Sequence, residues 1–267
     1  MRSIKAALDF GADALKHICD RPRFEARILL GASCGLNAIE LATKEQAPID
    51  EARFEAMIAR RAQGEPIEYI TGSVGFYSRE FLCESGALIP RAETELLVDR
   101  VAAIAKRFDA PKIAEIGAGS GAIAVTLALE LPKAEIVATD ISAEAIIVAQ
   151  KNAARFGVAD RVKFAHANLL DNVNFEADIT FSNPPYIRAD YPLPKPVSFE
   201  PKVALIGGEK GTEILEAIIE LKKPILVCEC GYDQEAILRE ALRANGYKMV
   251  EFYKDYANLT RGFTAER

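Results

Sequence analysis

The sequence predicts an α/β protein with a mostly parallel sheet, preceded by a small helical domain. From residue 112 onward, short apolar segments of strand type alternate with longer segments of helical type. Repeated strand and helix units form parallel sheets covered on both faces, and such sheets bind ligands at the carboxyl ends of their strands. Residues 1–75 show only helical spacing of apolar residues, which predicts a separate helical domain.

The first 75 residues predict a helical bundle. Apolar side chains recur at helical spacing over 4–18, 24–32 and 54–62, and Pro22, Gly35 and Pro48 interrupt the pattern. Alternating apolar and polar residues with several glycines over 71–88 predict a short hairpin. We therefore divide the chain into a helical domain, a hairpin linker and a sheet domain, covering residues 1–75, 76–90 and 91–267.

The sheet domain is predicted from its alternating segments. The last two strands are short and close in sequence, so we expect them to form an antiparallel C-terminal hairpin. The predicted strands cover 112–116, 135–140, 162–167, 177–182, 225–230, 248–254 and 262–265, and the predicted helices cover 121–130, 143–156, 212–222 and 234–244.

Composition limits the classes of function. The chain has 267 residues, half of them apolar, and carries 33 Lys and Arg against 39 Asp and Glu. A net charge of −6 disfavours a nucleic acid partner. The five cysteines are scattered without a Cys-x-x-Cys pair, which disfavours a zinc site and indicates reduced thiols. No apolar run reaches the roughly 18 residues of a membrane span, so we expect a cytoplasmic protein without a metal or membrane partner.

Asn183-Pro184-Pro185-Tyr186 follows the predicted strand over 177–182. Two consecutive prolines cannot continue the hydrogen-bonded ladder, so the strand must end here. Asn183 offers a carbonyl acceptor and an amide donor, Pro184 leaves a free C=O, and Tyr186 supplies an aromatic face. This set suits a planar group carrying an NH2. The simpler interpretation is a Pro-Pro strand end with a surface tyrosine.

A glycine-rich loop follows the first strand of the sheet domain and opens a helix. Its Gly-x-Gly-x-Gly spacing differs from the Gly-x-Gly-x-x-Gly typical of dinucleotide binding. Glu115, the acid that precedes the glycines, favours a ligand with a positive amino group over a diphosphate. A tight connection without a ligand is the structural alternative. The loop residues that we assign to ligand binding are Glu115, Gly117, Ala118, Gly119, Ser120 and Gly121.

Two further strand ends contribute candidate ligand-binding residues. Asp140 ends the second strand of the sheet, 23 residues after Gly117, where a carboxylate can accept both hydroxyls of a ribose. Asn168 and Leu169 end the third strand and would line an adenine pocket if the ligand lies across the strand ends. The alternative for this pair is a simple turn. Asn183 completes the set at the fourth strand.

The glycine loop, Asp140 and the Asn-Pro-Pro-Tyr segment together resemble class I S-adenosylmethionine-dependent methyltransferases that modify amino groups. More specifically, the chain resembles the HemK/PrmC family, the peptide chain release factor N5-glutamine methyltransferases. Ala92 stands where this family often has proline, Glu115 where it usually has aspartate, and Leu169 where some members carry an aromatic residue. The resemblance rests on the glycine loop and on Gly64-Glu65-Pro66-Ile67, Leu88-Ile89-Pro90-Arg91 and Phe199-Glu200-Pro201.

The resemblance implies a Rossmann-like methyltransferase sheet, S-adenosylmethionine as cofactor, and methylation of the glutamine in the Gly-Gly-Gln motif of release factors. Because the charges of residues 1–80 nearly balance, we expect the helical domain to dock this protein substrate rather than RNA. We expect the enzyme to act as a monomer. The alternatives are methylation of an exocyclic amine of a nucleic acid base, such as adenine N6, and a noncatalytic cofactor-binding scaffold.

A carboxamide nitrogen is a poor nucleophile, and the region offers no strong base. The chain has only two histidines, His17 and His166, and a structural role is expected for both. We therefore assign catalysis to orientation by Asn183, Pro184, Pro185 and Tyr186. The Asn183 side-chain oxygen and the Pro184 carbonyl would accept the two N–H groups of the substrate amide, while Tyr186 packs on its plane.

Overall fold

The computed structural model describes residues 2–43 and 48–267, which form two compact units. The first unit comprises the described residues up to Ser73 together with Leu193–Phe199, and the second comprises Val74–Pro192 and Glu200–Arg267. The sequence did not predict that the segment Leu193–Phe199 belongs with the helices. Its Lys195 stem lies against the backbone of Gly64, 3.0 Å from the position that a Cβ would take there.

The first unit is helical, as predicted, and its helices begin at recognisable caps. Ser3 and Asp50 accept backbone N–H groups at the starts of their helices, and Gly35 ends the second helix in the left-handed region. Leu29, Leu30 and Phe54 lie fully buried in its core. The helices are α1 (Ile4–Leu15), α2 (Pro22–Cys34), α3 (Ala38–Thr43), α4 (Glu51–Ala62) and α5 (Ile67–Thr71).

The predicted hairpin is present as strands β1 (Ser73–Phe76) and β2 (Arg79–Leu82). Phe76 and Phe81 lie buried in the main core of the second unit, where their rings meet edge to face. The segment from 76 to 90 is therefore part of the packed second unit rather than a linker alone.

The second unit contains a seven-stranded sheet in the order β10-β11-β9-β6-β3-β4-β5, in which β11 is antiparallel to both of its neighbours and the other pairs are parallel. A short separate pair, β7 and β8, follows β6. The elements are α6 (Glu95–Ala105), β3 (Lys112–Ile116), α7 (Ala122–Glu130), β4 (Glu135–Asp140), α8 (Ala143–Arg155), β5 (Val162–His166), β6 (Ile179–Ser182), β7 (Ile187–Arg188), β8 (Ile206–Gly208), α9 (Glu213–Glu220), β9 (Ile225–Glu229), α10 (Glu235–Ala244), β10 (Met249–Lys254) and β11 (Thr260–Glu266).

The sheet reverses its strand order at its centre. The chain runs outward from β3 through β4 to β5 and then returns to place β6 on the other side of β3. Ile116 of β3 is paired in register with Ser182 of β6, so the two strands end side by side. In open α/β sheets, ligands bind outside the carboxyl ends of the strands at such a reversal.

Two further observations hold for the described ranges. None of the helices in the described ranges is long and apolar enough to cross a membrane. Within the same ranges, no cluster of three or more His, Cys, Asp or Glu side chains is arranged to hold a metal ion.

Candidate active site

A cleft lies at the carboxyl ends of β3, β4, β5 and β6 and encloses about 1100 Å³, counting its open mouth. Its position at the reversal of strand order is the expected place for a ligand. Most of the residues that the sequence assigned to the site line this cleft, namely Gly117, Ala118, Gly119, Ser120, Asp140, Asn168, Leu169, Asn183, Pro184 and Pro185. Glu115, Gly121 and Tyr186 lie outside its described lining.

The glycine loop turns sharply after β3 and is held against the end of β4. The N–H groups of Gly117 and Ala118 both donate to the Thr139 carbonyl at 2.8 Å. A Cβ at Gly119 would meet no atom within 4 Å, so this part of the loop faces open space. At Gly121 a Cβ would lie 2.9 Å from the Ala149 backbone. The third glycine therefore serves the close packing of α7 on α8.

Asp140 ties the glycine loop to β4. One carboxylate oxygen, Oδ2, accepts the Gly119 N–H at 2.8 Å, and Oδ1 accepts the Ser142 N–H at 2.8 Å. An ionised carboxylate has about four acceptor positions, so two remain for further donors. Asp140 is also the only ionisable side chain among the described residues that line the cleft.

Glu115 is fully buried beneath the glycine loop, and neither carboxylate oxygen has a hydrogen-bond partner in the described part of the chain. Burial, reinforced by the negative charge of Asp140, raises the pKa of Glu115 well above its usual value, and the nearby Ala124 N–H, which does not reach hydrogen-bond geometry, only partly opposes the shift. Because Glu115 does not line the cleft, its contact with a ligand amino group stays a prediction.

Asn168 and Leu169 lie at the end of β5, as predicted, and both line the cleft. Asn168 is exposed. Leu169 adopts a left-handed backbone with φ of 49°, which is rare for a leucine. Its carbonyl accepts a 2.6 Å hydrogen bond from the buried Thr139 hydroxyl. This bond fixes the turn that brings Leu169 to the cleft.

The Asn-Pro-Pro-Tyr segment is linked at both ends to one buried carboxylate, by Tyr186 directly and by Asn183 through Thr94. The Asn183 Nδ2 donates to the Thr94 hydroxyl at 3.1 Å, and Thr94 donates to Oε2 of Glu229 at 2.8 Å. The Tyr186 hydroxyl donates to Oε1 of the same Glu229 at 2.9 Å. Thr94 and Glu229 are only 2% and 3% exposed.

Glu229 and Tyr186 alter each other's ionisation. The pKa of Glu229 is raised, because burial outweighs the opposing hydrogen bonds from Thr94 and Tyr186 and the charge of Arg261. Burial and the negative charge of Glu229 raise the pKa of the Tyr186 phenol. The phenol thus stays protonated and remains a donor to the carboxylate.

The backbone of Pro185 and Tyr186 packs against glycines that leave no space for a side chain. A Cβ at Gly207 would lie 2.5 Å from the Pro185 carbonyl oxygen, and one at Gly211 would lie 2.6 Å from that of Tyr186. The Gln234 amide donates to the Tyr186 carbonyl at 3.0 Å. These contacts hold the segment in one position after β6.

Arg91 and Glu200 pair with each other. The Arg91 guanidinium donates to Oε1 of Glu200, which is nearly buried, and Oε2 accepts the Ile89 N–H at 3.0 Å. Glu200 thereby fixes the segment that carries Pro90 to the cleft wall.

The positions of the two histidines bear on whether the cleft contains a base. His17 is exposed on the end of α1, and His166 is exposed at the end of β5, where its Nε2 is 2.8 Å from the Ile141 carbonyl. Neither belongs to the described lining of the cleft. The described lining of the cleft therefore offers no histidine as a base.

Thr94 and Glu229 were missed by the sequence reasoning. Thr94 lies in a 3-10 turn before α6, a helix that was also missed. Glu229 could have been identified from the sequence, because it is a lone carboxylate at the end of an otherwise apolar strand in the interior of the sheet. Buried charges in such places are rare unless they are paired.

Several solved structures to which this chain is similar are methyltransferases. The chain aligns with the ribosomal protein L11 methylase from Lactobacillus delbrueckii subsp. bulgaricus with a TM-score of 0.50 and 22% identity, over 69% of this chain and 83% of that one. It aligns with the hMettl16 catalytic domain with a TM-score of 0.56 and 15% identity, over 79% and 91%. At these identities the likeness shows the fold, that of class I methyltransferases.

Family models and curated relatives specify the class further. The model described as PrmC N-terminal domain matches residues 6–72, and the one described as methyltransferase small domain matches 92–191. The release factor glutamine methyltransferase of Moorella thermoacetica is 40% identical over 93% of this chain and 92% of its own length. The chain belongs to the family of release factor glutamine methyltransferases.

Other relatives agree with this assignment. The release factor glutamine methyltransferase of Chlorobaculum tepidum is 37% identical over 92% of this chain and 90% of its own length. The bifunctional methyltransferase of Rickettsia felis is 36% identical over 97% of this chain, which spans 57% of that longer protein.

Proposed function

We propose that this chain transfers a methyl group from S-adenosylmethionine to the side-chain amide nitrogen, N5, of the glutamine in the Gly-Gly-Gln motif of peptide chain release factors. The observation that carries the proposal is the hydrogen bond from Asn183 Nδ2 to Thr94. It leaves the Asn183 oxygen as an acceptor at the edge of the cleft, where an amide substrate needs one. Membership of the family supplies the protein substrate.

The residues of the cleft suit S-adenosylmethionine. Gly119 leaves open space beside the loop backbone, a Cβ at Gly117 would meet only the Asn183 carbonyl oxygen at 3.9 Å, and Asp140 keeps two acceptor positions for ribose hydroxyls. Leu88, Ile141 and Leu169 supply apolar surface for a planar ring. When bound, this cofactor supplies an electrophilic methyl group on a positively charged sulfur.

The residues that line the cleft orient the substrate amide and exclude water from the reacting atoms. The Asn183 side-chain oxygen and the Pro184 carbonyl accept the two N–H groups of the substrate amide, which directs the nitrogen lone pair across the cleft. The apolar cleft wall keeps water from the reacting atoms. The amide nitrogen gains one methyl group and releases one proton to solvent. Fixed geometry of this kind can contribute several kcal/mol to rate acceleration.

We assign the helical unit to docking of the protein substrate. It exposes apolar side chains that its own core does not use, including Ile39, which is 74% exposed on α3. Large exposed apolar side chains are typical of protein contact sites when they form a patch. We expect the enzyme to act as a monomer in the cytoplasm, where release factors end translation.

Methyl transfer to defined substrates tests the proposed function. The purified chain is incubated with methyl-labelled S-adenosylmethionine and a release factor, the same factor with alanine in place of the Gly-Gly-Gln glutamine, or double-stranded DNA. We expect one methyl group on the unaltered factor alone, located on the glutamine side chain by peptide mass spectrometry. Equal labelling of the alanine variant, or no labelling of either factor, would overturn the proposal. Labelling of DNA would support the adenine N6 alternative.

A further inference from the structure

The direction of the Asn183 side chain decides whether the site accepts or repels a substrate amide. The oxygen and nitrogen of a carboxamide are nearly equal in size, so rotation by half a turn exchanges an acceptor for a donor. An amide substrate presents N–H donors. Asn183 is useful to it only when the oxygen, not the NH2 group, faces the cleft.

A chain of hydrogen bonds determines this direction. In its ionised form Glu229 can only accept, and the 2.8 Å contact between Thr94 and Glu229 then requires the single hydroxyl hydrogen of Thr94 to point at Glu229. Thr94 then has only lone pairs to offer to Asn183. The NH2 group of Asn183 must turn toward Thr94, at 3.1 Å, which directs the side-chain oxygen elsewhere.

The second carboxylate oxygen of Glu229 is also occupied. It accepts the Tyr186 hydroxyl at 2.9 Å, so both oxygens receive donors and the carboxylate is held in place. Hydrogen bonds to charged groups in a buried environment are among the stronger ones in proteins. The direction of the chain of hydrogen bonds, from Asn183 to Thr94 to Glu229, is therefore firmly fixed.

We propose that Glu229, acting through Thr94, is a positioning residue that holds the Asn183 side-chain oxygen toward the substrate amide. This inference rests on the proposed function for the identity of the substrate. The geometry itself requires only that the substrate presents an N–H donor. Glu229 does not line the cleft among its described residues and acts only through its neighbours.

Two substitutions at Thr94 separate a positioning role from a structural one. Thr94→Val keeps the shape but removes the hydroxyl, whereas Thr94→Ser keeps the hydroxyl but removes a buried methyl group. We expect kcat on the release factor to fall about 100-fold in Thr94→Val, by analogy with the loss of one preorganised hydrogen-bonding group. Thr94→Ser should restore most of that loss, and cofactor affinity should change little in either variant. The opposite order of kcat values would overturn the proposal.

A matched control is available in α7. Thr126 is fully buried, and its hydroxyl has no hydrogen-bond partner in the described part of the chain. Thr126→Val makes the same change outside the described lining of the cleft and should leave kcat unchanged.

A double-mutant cycle tests whether Glu229 acts through Asn183. A glutamine at position 229 can donate its NH2 group to Thr94, which reverses the chain of hydrogen bonds and turns the Asn183 NH2 group toward the cleft. Glu229→Gln should therefore lower kcat strongly in the wild-type background but by less than about twofold in the Asn183→Ala background, because coupled residues are not additive. Independent, additive losses would overturn the proposal.

Nuclear magnetic resonance distinguishes failure of this inference from failure of the proposed function. In the wild-type protein we expect nuclear Overhauser effects between the Asn183 side-chain NH2 protons and the Thr94 methyl protons. These effects should weaken in Glu229→Gln. The measurement needs no substrate. It therefore tests the positioning role of Glu229 even if the enzyme methylates DNA instead of a release factor. Unchanged contacts in the variant would refute the positioning role even if release-factor methylation is confirmed.

Discussion

Asp140 Oδ2 accepts the Gly119 N–H at 2.8 Å, so the acid at the end of β4 holds the glycine loop of β3. This carboxylate is also the one that we expect to receive the ribose hydroxyls of the cofactor. Loop geometry and the proposed ribose contact therefore depend on the same side chain.

Asp140→Ala should lower the affinity for S-adenosylmethionine by about 100-fold or more. The substitution removes two acceptors for the ribose and releases the Gly119 and Ser142 N–H groups, and each lost hydrogen bond to a charged group costs about 1.5–3 kcal/mol. Isothermal titration calorimetry measures the affinity directly. Asp160→Ala, at an exposed turn, is the control, and equal affinities in the two variants would refute the assignment.

Tyr186→Phe should destabilise the fold by about 1–2 kcal/mol, because buried Glu229 loses one of its two donors while the ring packing remains. Its effect on kcat should be smaller than that of Asn183→Ala, since Tyr186 lies outside the described cleft lining. Urea unfolding and steady-state kinetics measure the two quantities. Unchanged stability with a loss of kcat equal to that of Asn183→Ala would contradict this expectation and show that the Tyr186 hydroxyl serves the reaction rather than the fold.

Glu115→Gln should stabilise the cofactor-free protein at pH 8 more than at pH 5. The folded-state pKa of Glu115 is raised by burial and by Asp140, while the unfolded value is about 4.3. Its contribution to stability is fully present below the unfolded pKa and is lost as the pH rises through the folded pKa. Glutamine does not titrate and avoids this loss.

Urea unfolding of the wild-type protein and Glu115→Gln at both pH values checks this expectation. Glu176→Gln is the control, because Glu176 is exposed. A difference between wild type and Glu115→Gln that stays constant with pH would show that Glu115 does not titrate over this range.

Gly207→Ala should reduce methyl transfer at least tenfold while leaving most of the cofactor affinity. The added methyl group would lie 2.5 Å from the Pro185 carbonyl oxygen and 2.9 Å from the Tyr186 Cα, so the Asn-Pro-Pro-Tyr segment must move. Overpacking of this kind also costs about 1–3 kcal/mol of stability. Gly75→Ala is the matched control, because a Cβ there meets nothing within 4 Å. Equal activities of the two variants would contradict the tight packing.

Ile39→Glu should raise the KM for an intact release factor about tenfold or more without changing the KM for a short Gly-Gly-Gln peptide. The side chain is 74% exposed on the helical unit, and a charge there opposes burial in a protein contact. Tyr256→Glu, on a fully exposed residue of the second unit, is the control. An equal rise in the KM for the peptide would show that the substitution does not act on docking of the protein substrate.

The strands and helices with clear periodicity were predicted from the sequence. The segments that became β3, β4 and β6 are short and apolar, and the glycine loop and the two prolines mark where β3 and β6 end. The helix α6 was missed, although Leu97, Val98 and Val101 bury one face of it. Its pattern was sufficient, since the three residues share helical spacing.

Contacts between distant segments could not be predicted in the same way. The hydrogen bonds of Thr94 with Asn183 and with Glu229 depend on how the fold brings these distant residues together. The position of Gly207 against Pro185 likewise depends on the pairing of β7 with β8. Local patterns identify residues at strand ends, but they carry no information about which side chains meet there.

The orienting group Glu229 lies 135 residues after Thr94 in the chain. During synthesis the glycine loop, Asp140 and Asn183 leave the ribosome before Glu229 does. A nascent chain that has reached β6 therefore contains the residues assigned to the cofactor but not the carboxylate that directs the Asn183 amide. The capacity to orient a substrate arises only when β9 has paired with β6.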